Sequence, residues 1–244
     1  YGAVVYFGPR GYAYLERVDF ENAFHVGPLG HIGLFLLWIL GFIAGFTRNY
    51  GVAIVLFSIL VTCLTAPFTL LGFKSMKKMQ ALKPQADKLM AQYKDDLQKA
   101  NREVFALYKK HRVSPLGGCL PLLLQMPIFI ALFTAISHDI ELRGKAFLWI
   151  KDLSLPDRLA TLPIALPFLG ADLNLLPIIM AAAMFFQSRM TQTGMPTDKS
   201  NPAAALMSGP LMSIMFGVMF YQFPAGLVLY WLTNSLISMA WYKL

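Results

Sequence analysis

Charge is what this sequence has least of. Only 14% of its 244 residues are Asp, Glu, Lys or Arg, while 57% are hydrophobic. An ordinary soluble domain carries about 25% charged residues. So few charges cannot cover a soluble surface at this length, which excludes disorder and most soluble enzymes and makes a bilayer the natural solvent. Cysteine is nearly absent too. Cys63 and Cys119 both lie among apolar residues and read as small packing groups, so a disulfide scaffold is excluded. The four histidines, His25, His31, His111 and His138, fall in loops or at helix ends. The chain has no HExxH, no GxSxG, no glycine-rich phosphate loop and no Cys/His cluster. No catalytic residue, metal site or cofactor is therefore expected. The long apolar runs contain no Asp or Glu, which weighs against a proton-coupled transporter or an intramembrane protease. The chain starts at Tyr1 with no signal-peptide pattern, as expected of a fragment or a processed product.

What is present is a series of apolar runs. Residues 1–24 hold a strand-like Val4-Val5-Tyr6-Phe7 followed by a Gly8-Pro9 turn and read as the tail of an upstream domain. Residues 32–46 are apolar throughout but fall short of the ~20 residues needed to span. They read as a helix lying at the interface, within a 25–48 segment, or else as a tilted span that would reverse the parity of the topology. Five longer segments, at about 51–72, 115–137, 173–189, 204–221 and 225–242, read as spans. Ser114 and Pro115 suit the start of the second as N-cap and first helical residue. The short turn Tyr221–Gly226 makes the last two a hairpin, and Trp241 and Tyr242 suit an interfacial belt.

The net charge of +8 is concentrated. Residues 74–112 carry eleven Lys and Arg against four acids, a net +7, whereas residues 138–172 carry four against five. The positive-inside rule puts the first segment in the cytoplasm and the second outside, with the N-terminus outside and the C-terminus inside. That agrees with five spans in 49–244 and an interfacial 32–46. Within 74–112, Met76, Met79, Leu82, Ala86, Leu89, Met90 and Tyr93 recur at helical spacing, as do Leu97, Ala100, Val104, Leu107 and Tyr108. Two amphipathic helices in a hairpin are predicted, with Asp96 capping the second and Pro84 kinking the first. Lys77, Lys78, Lys83, Lys88, Arg102, Lys109 and Lys110 then form a basic surface. It either solvates the helices at the membrane or docks an acidic partner such as ribosomal RNA.

The spans hold uncharged polar residues instead of ions. Ser58, Thr62 and Thr65 follow i, i+4, i+7 on one face of the first span; Gln125 sits in the second, Gln187 ends the third, Ser208 and Ser213 lie in the fourth, and Asn234 lies in the fifth. Interhelical hydrogen bonding accounts for any single one of them. Five spans that each contribute polar side chains point to a shared wet cavity, suited to a polar chain in passage.

Lys83-Pro84, the stretch Ser114-Pro115-Leu116-Gly117-Gly118-Cys119-Leu120-Pro121, the stretch Gln125-Met126-Pro127-Ile128-Phe129, and Phe223-Pro224-Ala225-Gly226-Leu227-Val228-Leu229-Tyr230-Trp231 followed by Thr233-Asn234 resemble the YidC/Oxa/Alb membrane insertases. Residues 1–24, with Tyr6-Phe7-Gly8-Pro9, resemble the end of the periplasmic β domain of Gram-negative-type members. The resemblance implies an all-α polytopic membrane protein: a five-transmembrane-helix insertase core, a cytoplasmic helical hairpin and a periplasmic interfacial amphipathic helix, in the bacterial inner membrane. It implies an insertase and chaperone that takes polar segments of nascent membrane proteins into a hydrophilic groove open to cytoplasm and lipid, and releases their apolar segments into the bilayer. The partners it implies are nascent membrane proteins, the ribosome, the Sec translocon, the signal recognition particle with its receptor, and the lipid bilayer. It adds Tyr230 and Trp231 to Gln125 as groove positions. It also exposes a departure: the family usually keeps a positive residue five positions before the Pro of a Pro67-Phe68-Thr69-like stretch, and here that position is Thr62. The polar spans alone also fit a small-solute transporter or channel, and the basic hairpin alone a ribosome- or translocon-docking scaffold.

Overall fold

A computed structural model describes residues 30–94, 96–113, 120–138, 142–166, 170–190 and 210–243. The 1–24 segment and the expected helix start at Ser114 and Pro115 lie outside the described residues. The described helices are α1 (Gly30–Thr47), α2 (Tyr50–Gln92), α3 (Leu97–Lys110), α4 (Leu120–His138), α5 (Leu175–Met190), α6 (Pro210–Met219, running into a 3-10 turn at Phe220–Gln222) and α7 (Ala225–Lys243). One antiparallel pair, β1 (Ala160–Leu166) with β2 (Gly170–Leu173), lies between α4 and α5.

The apolar runs end where the helices do not. The expected 51–72 span and the first arm of the hairpin are one 43-residue helix, α2, which continues through Pro67 and Pro84. At 1.5 Å per residue it is about 65 Å long, roughly twice a ~30 Å hydrocarbon layer. Among the described residues it is the one helix long and apolar enough to cross a membrane by itself, with α5 and the α6 segment shorter apolar helices. Its start is set by Asn49, whose Oδ1 accepts from the amides of Gly51 (2.9 Å) and Val52 (3.1 Å), an N-cap. Asp96 caps α3 as its sequence position predicts, accepting from the Lys99 amide at 2.9 Å. Lys109 and Lys110 close the same helix, where cations suit the carbonyl end.

The chain folds as two compact units. In the unit made of residues up to Ser58 with Met126–Pro177 and Phe220–Trp231, a buried polar node ties distant segments together. The Tyr221 hydroxyl donates to the Asp172 carbonyl (2.8 Å) and accepts from the Asn174 amide (3.0 Å). Asn174 Nδ2 donates to the Tyr221 carbonyl at 2.7 Å, and its Oδ1 accepts from the Arg158 amide at 3.0 Å. Asp157 Oδ2 accepts from the Leu176 amide (2.7 Å) in the first turn of α5 and from Trp149 Nε1 (3.2 Å). A carboxylate there faces the positive end of α5. Arg158 and Asp172 add an exposed ion pair at 3.0 Å, worth at most about 1 kcal/mol.

In the other unit, Ile59–Gln125 with Ile178–Met219 and Leu232–Leu244, the hairpin has a core of its own. Met79, Leu82 and Ala86 of α2 pack with Val104 and Tyr108 of α3 and with Val113. The helical periodicity read from sequence is therefore the buried face. Leu97 is the exception and is exposed, because it stands at the first residue of α3.

Tyr108 gives this hairpin a pH dependence. Burial, then the nearby Asp87 carboxylate, raise its phenol above the ordinary tyrosine value. The fold thus favours the neutral phenol. Its contribution is complete below about pH 10 and is lost as pH rises through the raised value. Thermal melts between about pH 8 and pH 11 are expected to show an alkaline loss that Tyr108→Phe flattens; equal slopes in both proteins overturn this.

Candidate functional site

On α2 the usual sorting of side chains is inverted. Ser58 and Thr62 are 0% and 2% exposed, and Thr69 is buried, while Leu64 is 76% exposed and Leu60, Phe68 and Leu71 are exposed with it. Water cannot be the solvent of such a face, because leucines outside and hydroxyls inside reverse the hydrophobic effect. Ser58, Thr62, Thr65 and Thr69 form one stripe. Its hydroxyls bond into the helix's own backbone: Ser58 Oγ donates to Ile54 O (2.6 Å), Thr65 Oγ1 to Val61 O (3.0 Å) and Thr69 Oγ1 to Thr65 O (3.1 Å).

In the unit that holds Thr62 and Thr65, two amides meet. Asn234 Nδ2 donates to Gln125 Oε1 at 2.9 Å, and Ser238 Oγ reaches Asn234 Oδ1 at 3.3 Å. The pair joins α4 to α7 over a separation of 109 residues. Ser213 and Ser235 are buried in the same unit. Gly217 of α6 lies against Ala181 of α5 so closely that a Cβ would sit 2.8 Å from that alanine's own Cβ, the small-residue contact by which membrane helices approach. Gln187, near the end of α5, is partly buried. At the foot of α7, Tyr242 donates to Gln80 Oε1 (3.2 Å), meets Phe73 edge-on (5.2 Å) and lies under Lys77 Nζ (5.3 Å).

Tyr230 and Trp231 are placed differently. In the unit that contains them, both are buried in an aromatic core. Tyr230 packs on Phe57 at 6.1 Å, and Trp231 packs on Phe129 and Phe220, each at 5.3 Å. Phe133 and Phe223 extend the cluster. The structure thus brings Gln125 to Asn234, and gathers Ser58, Thr62 and Thr65 on one helix face. The polar node of Asp157, Asn174 and Tyr221 was not visible in sequence, since its partners lie up to 49 residues apart with no local pattern.

All seven basic hairpin residues, Lys77, Lys78, Lys83, Lys88, Arg102, Lys109 and Lys110, are exposed. None forms an ion pair with a described residue. Among the described residues no three His, Cys, Asp or Glu side chains gather to hold a metal ion.

A model of the family described as "60Kd inner membrane protein" matches residues 42–243. The chain belongs to this 60Kd inner membrane protein family. Its similar curated relatives include the membrane protein insertase YidC of Endomicrobium trichonymphae, 42% identical over 98% of this chain and 44% of that protein. Another is that of Syntrophobacter fumaroxidans, 39% identical over 96% of this chain and 42% of that protein. The chain thus spans about two fifths of the length of these relatives. It is also similar to the solved structure titled "Active YidC insertase crystal structure with the first transmembrane domain resolved". That match has a TM-score of 0.64 and 27% identity, covering 94% of this chain and 50% of that one. Family members are inner membrane proteins by description, which supplies the apolar solvent that the exposed leucines of α2 require. The fold is accordingly an all-α membrane fold, to which the β1–β2 pair is a small addition.

The Gln125–Asn234 pair has a measurable weight. Asn234→Ala is expected to cost about 1–2 kcal/mol, and a double-mutant cycle with Gln125→Ala to return a coupling of about 0.6–1.7 kcal/mol. Unfolding of the purified protein in detergent micelles measures both. Purely additive losses overturn the pairing.

Proposed function

We propose that this chain is the membrane-embedded core of an insertase and chaperone. It accepts polar segments of nascent membrane proteins along the polar face of α2 and passes their apolar segments to the bilayer. The observation that carries the reading is the inverted face of α2, whose hydroxyls are buried and whose leucines are exposed. A polar stretch brought to membrane depth without partners costs several kcal/mol per unsatisfied group. Thr62, Thr65, Gln125 and Asn234 supply hydrogen-bonding partners that lower this cost, with Ser58 further along the same helix and Gln187 at the end of α5. Tyr230 and Trp231, as part of an aromatic core, serve as the rigid base from which α7 extends. No covalent step is required, and the net drive is burial of the incoming apolar segment. The relatives named membrane protein insertase YidC support this reading.

The exposed cations of the hairpin support a cytoplasmic location for residues 74–112, with the N-terminus periplasmic and the C-terminus cytoplasmic. They also suit a polyanion such as ribosomal RNA. The ribosome is accordingly the partner assigned to this surface, with the Sec translocon and the signal recognition particle and its receptor as further partners that the resemblance implies.

Two experiments test the reading. Photo-crosslinkers at Thr62 and at Leu64, in the full-length protein, face a ribosome-stalled single-span nascent chain. Crosslinks are expected at Thr62 well above those at lipid-exposed Leu64, and equal yields overturn the polar-face route. Thr62→Arg restores the positive residue that the resemblance implies at this position. Insertion into liposomes of substrates with acidic outward tails is expected to rise relative to neutral ones. An equal effect on both sinks the electrostatic account. Unfolding of the variant shows that no water accompanies the charge, since a dry buried Arg costs several kcal/mol.

A further inference from the structure

At the junction of α1 and α2 lies a cavity of about 620 Å³ that the insertase reading does not use. Its lining includes Gly41, Ala44 and Gly45 of α1, Arg48 of the connection, Tyr50 of α2, and Lys145 from the segment after α4. All belong to one compact unit. The volume falls within the ~300–1,000 Å³ of small-molecule sites. Among the described residues of its lining, two are cations and none is an acid.

Neither cation has an acidic partner among the described residues. Lys145 Nζ lies 5.5 Å from the Tyr50 ring centroid, a cation–π contact that fixes its position without neutralising it. Arg48 makes no side-chain hydrogen bond or ion pair with a described residue. It stands at φ +54°, where glycine is the ordinary residue after a helix end. The carboxylate nearest in sequence to Lys145 among the described residues is Asp152, and it is already held. Its Oδ1 accepts from the Ser154 amide (2.8 Å) and hydroxyl (2.7 Å). Although burial works the other way, these bonds, the Gly144 amide and the Arg143 charge keep its carboxyl below the usual value.

The open space is itself informative. Glycine inside a helix is destabilising relative to alanine. It is usually retained where a neighbour leaves no room for a side chain. At Gly41 and Gly45, one turn apart, a Cβ would meet nothing within 4 Å. Among the described residues no packing neighbour explains either glycine, and both line the cavity.

The neighbouring face of α1 says where the cavity lies. Phe35, Trp38, Phe42 and Phe46 are exposed along one stripe, Phe46 to 89%, and Phe35–Trp38–Phe42 stack in sequence at 6.2 and 6.3 Å. In an inner membrane protein such a stripe lies against lipid, with Trp at the interfacial level. The stripe ends at Phe46, two residues before Arg48. We propose that this cavity binds the phosphate of an anionic phospholipid, Arg48 and Lys145 holding the phosphate oxygens while the acyl chains lie along the aromatic stripe. The membrane setting comes from the family, so the proposal stands whether or not the polar face of α2 carries substrate.

The test uses the full-length protein purified in detergent, melted against phosphatidylglycerol, phosphatidylcholine or inorganic phosphate. Phosphatidylglycerol is expected to raise Tm saturably and more than phosphatidylcholine. Arg48→Gln and Lys145→Gln are each expected to raise the half-saturating concentration about tenfold or more, from loss of a charge-assisted contact. A Cβ at Gly45 meets no described atom within 4 Å, so Gly45→Leu is expected to keep the lipid-free Tm while abolishing the shift. It keeps the proposal testable if a charge variant fails to fold. Equal shifts in parent and Gly45→Leu, or equal shifts with both lipids, overturn the site. A full shift with inorganic phosphate alone overturns the lipid as its source.

Discussion

A polar group inside a bilayer has no water to turn to, and this constraint orders the rest of the structure. Each unsatisfied donor or acceptor costs several kcal/mol there, so partners must be found within the chain. The hydroxyls of Ser58, Thr65 and Thr69 find theirs on the carbonyls one turn back. Asn234 and Gln125 find each other across 109 residues. Outside that stripe, Tyr221, Asn174 and Asp157 Oδ2 close a node that binds the start of α5 to the turn before α7 and to the segment beside β1, while Asp157 Oδ1 is left buried without a described partner. Helix ends are capped as well, with Asn49 and Asp96 covering the amides that open α2 and α3.

The two kinds of satisfaction differ in what they permit. A node like that of Tyr221 is directional and shared among segments, and pulling one partner away strands the others. It suits a fixed base, and the aromatic core of Phe57, Phe129, Phe220, Tyr230 and Trp231 lies in the same unit. A hydroxyl bonded to its own helix keeps its donor bond when a neighbouring helix moves. The α2 stripe can therefore exchange one apolar or polar neighbour for another without leaving an orphaned proton. That is the property the proposed insertase role requires of this surface.

What sequence made legible followed local periodicity. The buried face of the hairpin, the Asp96 cap and the Ser58–Thr62–Thr65 stripe are all patterns within a few turns of one helix, and the structure has each of them. What it hid was either continuous across a change in composition or distant along the chain. The lysines from Lys74 onward end the apolar run but not the backbone helix, so α2 looked like two elements. The β1–β2 pair lies in Leu- and Pro-rich sequence without clear alternation. Tyr230 and Trp231 entered as groove positions through a resemblance, whereas their surroundings are aromatic residues contributed by α2, α4 and the turn after α6. No single-helix pattern carries that information.

Charge placement follows from the same constraint. Thr62 is 2% exposed on a helix whose opposite face exposes Leu64, Phe68 and Leu71. A threonine can satisfy its hydroxyl within the helix and remain dry, whereas an arginine at that point brings five donors that only water or a counter-charge could meet. With Thr62 the polar face can close tightly when empty, and it exerts no long-range pull on acidic tails. Attraction at a distance is then left to the exposed cations of the hairpin, which act through water within a Debye length of about 8 Å. In the proposed insertase role, recruitment and accommodation would thereby be separated: ions gather partners in water, and uncharged hydroxyls and amides receive them in hydrocarbon. The free energy of insertion must in that case come chiefly from the apolar area the incoming segment buries, at roughly 25 cal/mol per Å².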